Sequence, residues 1–231
     1  MKEKRKNIYD LKYGDMYEAD KWVRLRFNIY RSLLVPFLEN GVRLLDIGCY
    51  MGDLLLILPS FVDYYGIDND KSALSIAKKR GAKVTKLDLE NEQIPLTEEF
   101  DIITATELLE HLRNPEELVL QIKCLLKKDG VVLISLPNEC TLYHRFKVLV
   151  GKGIDGTGFA PHYHLHFPTM KQNDEFIERH FEIVEKCYWV HIGVGGKLES
   201  ILSLLPYRIW LNLANLCPSW FARGVIYLCQ K

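Results

Sequence analysis

"LLDIGCYMGDLL", residues 44–55, joins an apolar strand-like run to a glycine-bracketed turn and then to a second apolar run. A strand ending in such a turn commonly supports a nucleotide-like cofactor, because glycine permits unusual backbone angles and close approach of a ligand. Tyr50 stands in the middle of the turn, where a third glycine would fit more easily. Whether this is a cofactor loop depends on what flanks it.

Five short apolar runs of strand type follow one another: "VRLLDI" (42–47), "VDYYGID" (62–68), "AKVTKLD" (82–88), "FDIITAT" (100–106) and "GVVLISLPN" (130–138). Helical patterns separate several of them: "GDLLLILP" after the first, "KSALSIAKKRG" with a stop at Gly81 after the second, and about Pro115 to Lys127 after the fourth. Strands alternating with helices at this spacing predict right-handed crossovers and a mainly parallel sheet. The near-continuous apolar character of the strands predicts burial on both faces. Upstream, Met16 to Glu39 predicts an amphipathic helix that stops near Gly41. Downstream, residues 139–168 mix Gly151, Gly153, Gly156, Gly158, Pro161 and Pro168 with aromatics and predict a long loop or lid. A helix over 169–180 with Thr169 as N-cap, a strand over 181–192, two short helices within 193–222 and a strand over 223–231 complete the chain.

Composition narrows the class. Hydrophobic residues make up 48%, enough for a substantial core, and 30 Lys+Arg balance 30 Asp+Glu, so net charge gives no reason to expect nucleic acid as partner. The start "MKEKRKNIYD" has no apolar signal-peptide region, and no apolar stretch reaches the roughly 18–20 residues that span a bilayer. The six cysteines form no C-x-x-C pair, and Cys124 and Cys187, in apolar patterns, are expected to be buried thiols. The expectation is a soluble cytoplasmic protein of one domain, 1–231.

In an open parallel sheet, ligands bind beyond the carboxyl ends of the strands. Asp46, Gly48, Cys49, Tyr50 and Gly52 close the first strand; Asp68 with Asn69 ends the second, Asp88 with Leu89 the third, and Thr104 to Thr106 the fourth. Asp68 follows Asp46 by 22 positions, near the offset of about 20 at which a carboxylate takes ribose hydroxyls. Asp88 is placed to accept from an adenine amino group, and Thr106 borders the opposite side. A nicotinamide cofactor shares the ribose logic but wants G-x-G-x-x-G, and "GCYMGDL" lacks its second glycine.

At this point residues 42–138 resemble a class I S-adenosylmethionine (SAM)-dependent methyltransferase, through "LLDIGCYMGDLL", "YYGIDND", "KLDLENEQIP", "FDIITATELLEHLRNPEELVLQIKCLLKKDG" and "VVLISLPN" in the family's order and spacing. "HFPTMKQNDEFIERHFEIVEKC" and "RGVIYLCQK" look like its last helix and antiparallel strand pair. The resemblance implies an α/β, Rossmann-like, doubly wound sheet of seven strands with an antiparallel last strand. Three αβα layers are expected, with an N-terminal helical cap (1–40), a SAM-binding core (42–138), a lid (139–168) and a helical substrate-side insertion (193–222). It implies S-adenosylmethionine as cofactor. Tyr50 is tolerable there if its backbone stays in an ordinary region and its side chain turns away or walls the methionine end.

"TELLEHL" (106–112) resembles the E-x-x-E-H segment of ubiquinone-pathway O-methyltransferases and small-RNA 2′-O-methyltransferases. In some of those, both Glu, the His and a later His hold a divalent metal. If the segment turns helically, Glu107, Glu110 and His111 share a face, and a His from "HYHLH" (162–166) would complete a set suited to Mg²⁺. The reading adopted assigns no metal. It gives His111 the role of general base, its ordinary pKa near 6.5 suiting a hydroxyl nucleophile, with Glu110 beside it. The expected activity is methyl transfer to a small-molecule acceptor, at a hydroxyl oxygen. The alternatives are a non-catalytic relative that only binds, or an enzyme acting on a lipid-linked substrate with 193–222 against a membrane. No basic stripe interleaved with aromatics points to RNA.

Overall fold

The computed structural model describes residues 21–95, 97–153, 164–191 and 204–231. Helix α1 (Lys21–Leu34) gives way to a 3-10 turn at Val35–Phe37. Strand β1 (Arg43–Ile47), a 3-10 turn (Leu54–Leu56), β2 (Asp63–Asp68), α2 (Lys71–Lys79) and β3 (Lys83–Lys86) form the first half of the sheet. Then come β4 (Phe100–Thr106), a 3-10 turn (Leu109–His111), α3 (Pro115–Leu125), β5 (Leu126–Pro137) and α4 (Leu142–Leu149). The chain closes with α5 (Met170–Glu178), β6 (Glu182–Trp189), α6 (Tyr207–Leu216), α7 (Pro218–Phe221) and β7 (Gly224–Gln230).

The seven strands lie in the order β3-β2-β1-β4-β5-β7-β6, the first five parallel and β7 antiparallel to both neighbours. Strand order reverses between β1 and β4, which opens a crevice at their carboxyl ends. Alternate strand residues feed two separate cores. Leu45, Ile47, Ile103, Ala105, Val132 and Ile134 pack against α3 and α5. Leu44, Tyr64, Ile102, Val131 and Leu133 pack against α1 and α2. This is the expected three-layer αβα arrangement.

Local chemistry sets several boundaries. Asp70 caps α2 by accepting from the backbone of Ser72 and Ala73, and Thr169 with Gln172 forms a reciprocal capping box on α5. Other boundaries depart from expectation. Helix α1 ends before Pro36 and not at Gly41, because a proline lacks the donor to continue it; residues 16–20 lie outside the described residues. "GDLLLILP" makes only a 3-10 turn: Leu54, Leu55 and Leu58 must all reach the α1 side core, and Pro59 stops the chain within five residues. Strand β5 starts at Leu126, opposite Phe100, and the pairing resumes past an irregularity at Ile102 with Val131. The segment 139–168 contains α4, N-capped by Thr141. Cys124 is exposed and Cys187 half-buried; the thiols that are enclosed are Cys49 and Cys229, and all six are free.

Close packing beneath the first turn is specific. Cys49 turns inward onto Gly66 of β2, where an added Cβ would lie 2.6 Å from its sulfur. Gly66→Ala is therefore expected to destabilise the fold by about 1–3 kcal/mol through overpacking. In a Cys49→Ala background most of that cost should disappear, giving a coupling of about 1 kcal/mol or more by urea denaturation; additive effects would show that the two side chains do not compete for space.

Candidate active site

The turn after β1 is fastened over β2. The N–H groups of Gly48 and Cys49 both donate to the Ile67 carbonyl, at 2.8 and 3.0 Å, and Gly52 N–H closes onto Cys49 O at 2.7 Å. Gly48 and Gly52 have φ of 75° and 70°, the left-handed region that glycine enters without penalty. Tyr50 lies there too, at φ 46°, so its backbone is not in the ordinary region expected of it and carries a cost of about 1 kcal/mol or more. What holds it is Asp68: one carboxylate oxygen accepts from Tyr50 N–H at 2.8 Å and the other from Asp70 N–H at 2.9 Å. Asp68 is half-buried at the carboxyl end of β2, and the exposed Asn69 follows it.

The other expected cofactor residues divide into those that border the crevice and those that lie under it. Thr106, half-buried, ends β4 across from β1. Asp88 and Leu89 sit half-buried just past β3, with the Asp88 carboxylate accepting from Glu90 N–H at 3.1 Å and Asn91 Nδ2 at 2.7 Å. Those bonds hold its carboxyl below the usual range. Asp46 is different. It is buried beneath the loop, where one oxygen accepts from Thr104 Oγ1 at 2.7 Å and the other from the Tyr64 hydroxyl. Burial pushes its carboxyl up to about 6 against those two bonds. Asp46 thus supports the loop from below, and Cys49, buried on Gly66, offers a ligand no side chain.

The E-x-x-E-H segment does not form one helical face. Only Leu109–His111 turns, as a 3-10 element, and Glu107 precedes it at φ 50°. Glu107 points to the N-terminal helix: Oε2 is 3.0 Å from Arg26, and Oε1 accepts from Ser135 Oγ at 2.8 Å. Ser135 Oγ also lies 2.9 Å from the Tyr30 hydroxyl, and Arg26 stacks over Trp189 at 5.0 Å. Glu110 is 2% exposed, and among the described residues neither carboxyl oxygen has a hydrogen-bond partner. Burial, reinforced by Glu107, pushes its carboxyl up to about 9. His111 Nε2 is 4.0 Å from Glu110, beyond hydrogen-bond range.

His164 joins this pair: ligand atoms of Glu110, His111 and His164 lie within 4.8 Å of one another. Glu107 turns to Arg26 and stands apart from them, so of the four-residue set implied by resemblance the structure brings together three, Glu110, His111 and His164. Behind His164 stands Glu139, which the sequence reading did not single out. Its carboxylate accepts from His164 Nδ1 at 3.2 Å and from Arg223 at 3.0 Å. Against burial, the hydrogen bond from His164 and the Arg223 charge hold it down at about 2, with His144 at 3.5 Å. Next to the cluster lies a cavity of about 880 Å³ walled by Leu109, Glu110, Leu136, Phe167, Asn173 and Phe176.

Parallel strands, a switch-point crevice and acidic residues beyond successive strands define a Rossmann-like nucleotide-cofactor enzyme. The family model described as a methyltransferase domain matches residues 21–181. The ubiquinone biosynthesis O-methyltransferase of Glaesserella parasuis is 38% identical over 189 residues, covering 71% of this chain and 79% of that protein. The enzyme of the same description from Actinobacillus pleuropneumoniae is 32% identical, but the match spans only 52% of its length. Among solved structures, the N-methyltransferase NodS of Bradyrhizobium japonicum, in complex with S-adenosyl-L-homocysteine, aligns with TM-score 0.60 at 13% identity over 99% of this chain and 97% of that one. The chain belongs to the class I S-adenosylmethionine-dependent methyltransferases.

The orphaned Glu110 has a measurable signature. Its folded-state pKa, about 9, exceeds the ordinary 4.5, so across that window the native state holds a proton that the unfolded chain has lost, and stability falls as pH rises. Glu110→Gln keeps the shape of the neutral acid without the titration. Urea unfolding from pH 5 to 9 should show wild type losing ground to the variant; parallel curves would mean that Glu110 is ionised.

Proposed function

We propose that this chain transfers the methyl group of S-adenosylmethionine to a hydroxyl oxygen of a small-molecule acceptor. The observation that carries the reading is the pairing of Asp68 with the Gly48–Gly52 loop at the β1/β4 crevice. Asp68 and Asn69 take the ribose hydroxyls, Asp88 and Leu89 the adenine, and the backbone of Gly48, Cys49, Tyr50 and Gly52 with Thr106 the methionine end. Asp46 acts indirectly by supporting that loop. The donor supplies a methyl group already activated on a sulfonium, which leaves the protein to position the acceptor, exclude water and accept a proton. The cavity lined by Glu110 offers an organic acceptor apolar surface from Leu109, Leu136, Phe167 and Phe176 beside the polar Gln172 and Asn173. The printed activity of the Glaesserella relative supports oxygen as the accepting atom. No nucleic acid is assigned as partner. Six free thiols support a reducing compartment such as the cytoplasm.

Calorimetric titration with S-adenosylhomocysteine tests this. Binding in the micromolar range should weaken at least tenfold in Asp68→Ala, and a screen of hydroxylated acceptors then identifies turnover. Absence of binding by wild type would leave a relative that keeps the fold without the chemistry.

A membrane-proximal acceptor is the second reading, and one surface favours it. On α4, Leu142, Phe146, Val148 and Leu149 are exposed, Leu149 at 82%. Beside it, Arg145 stacks on Trp220 of α7 at 5.9 Å, and Leu204, Ile209 and Leu216 are exposed near or on α6. Residues 140–153 and 204–231 contain no Asp or Glu, while Arg145, Lys147, Lys152 and Arg208 flank the apolar groups. Exposed apolar groups flanked by these cations suit an anionic lipid surface. Among the described residues no helix is long and apolar enough to cross a membrane. Co-sedimentation with phosphatidylglycerol-containing vesicles should exceed that with phosphatidylcholine alone and fall about tenfold in a Phe146→Glu/Leu149→Glu variant. Equal sedimentation of both proteins would remove this reading.

A further inference from the structure

Three cations follow one another at the end of helix α2, and only two of them behave as surface groups. Lys78 and Lys79 are exposed, whereas Arg80, the C-cap residue, is 8% exposed and turns back onto the turn that follows β1. There its Nη1 donates to the Met51 carbonyl at 2.7 Å and to Asp53 Oδ1 at 2.6 Å. We propose that Arg80 is a positioning residue for the cofactor, fixing the peptide units of the Gly48–Gly52 turn that receive the methionine end of S-adenosylmethionine. This rests on the cofactor reading given above.

The hydrogen bonds around the turn carry it. A peptide unit is planar, so fixing its oxygen also fixes its N–H. The Met51–Gly52 unit is held at both ends: Met51 O accepts from Arg80, and Gly52 N–H donates to Cys49 O at 2.7 Å. The Cys49–Tyr50 unit is held in the same way, since Cys49 O accepts from Gly52 and Tyr50 N–H donates to Asp68 at 2.8 Å. The bonds therefore run in one chain from a guanidinium, through two peptide units, to a carboxylate. Each unit turns its oxygen toward the cation and its N–H toward the anion, the sense in which such bonds polarise and strengthen one another. The bond to Met51 is buried, and a buried carbonyl that loses its donor favours a rearranged peptide.

Helix α2 joins the two ends of this chain. At its start, Asp70 N–H donates to the other oxygen of Asp68 at 2.9 Å; at its end stands Arg80. Between them Ala77 backs Gly52 so closely that an added Cβ would lie 3.2 Å from the Ala77 methyl. The helix is thus a spacer between the carboxylate assigned to the ribose and the turn assigned to the methionine end. The influence of Arg80 passes through the Met51–Gly52 peptide, so it falls on the methionine end and not on the ribose or adenine.

Calorimetric titration of the full-length protein with two ligands separates this role from a general loss of structure. S-adenosylhomocysteine carries the amino-acid end and 5′-methylthioadenosine lacks it, while both share ribose and adenine. Arg80→Met keeps the apolar stem and removes the donor. Its affinity for S-adenosylhomocysteine should fall about tenfold, the scale of one lost charge-assisted hydrogen bond, with that for 5′-methylthioadenosine nearly unchanged. Asp68→Ala should weaken both ligands. Should Arg80→Met fail to melt cooperatively, Arg80→Gln, a polar side chain too short to reach Met51, is read by the same ratio of affinities. A variant that binds both ligands as wild type does, or loses both to the same extent, overturns the proposal. Wild type that binds neither ligand overturns the cofactor reading itself and the proposal with it, a result distinct from the other two.

Discussion

The carboxyl end of this sheet depends on one buried anion, Asp46. It lies directly opposite Thr104 of β4 in register, and Tyr64 of β2 reaches it from the other side. A carboxylate enclosed without partners would cost several kcal/mol, so the two hydroxyls hold β2, β1 and β4 at one level. The Gly48–Gly52 turn and the Glu107 turn both leave the sheet from that level. Two residues other than glycine with left-handed backbone, Tyr50 and Glu107, stand on the two sides of the crevice. Each is held by a side chain from elsewhere: Asp68 holds Tyr50, and Ser135 holds Glu107. Strain of this kind persists only where the surroundings over-determine it.

The site is therefore assembled from distant parts of the chain. Helix α1 contributes Arg26 and Tyr30, strand β5 contributes Ser135 and leads to Glu139, and the approach to β7 contributes Arg223. Two carboxylates meet opposite fates within a short distance. Against burial, the His164 hydrogen bond and the Arg223 charge hold Glu139 low, whereas burial, with Glu107 beside it, pushes Glu110 up. Environment, and not residue type, divides the acid from the base.

The sheet was legible because parallel strands buried on both faces read as continuous apolar runs, and β4 begins and ends where its pattern does. The carboxylates beyond β2 and β3 were legible for a related reason: topology brings strand ends together, so position along the chain predicts position in space. Other features were hidden. "GDLLLILP" has the composition of a helix, and only the need to bury three leucines within the limit set by Pro59 denies it one. Helix α4 was masked by the glycines that follow it, although Thr141 was available as a cap signal. Glu139 has no sequence signature, since nothing in "LPNEC" relates it to His164 or Arg223. Its importance arises entirely from tertiary proximity.

Asp68 has one more implication. Each of its oxygens already accepts a main-chain N–H, from Tyr50 and Asp70, so what remains for a visitor is lone pairs and negative charge. Such a group functions as a polarity filter. On the cofactor reading proposed above, it would welcome a sugar edge that presents hydroxyl protons and repel one that presents phosphate oxygens, without needing any steric barrier. The same carboxylate also restrains Tyr50 N–H, so a sugar bound there as proposed would share the oxygen that holds the turn in place.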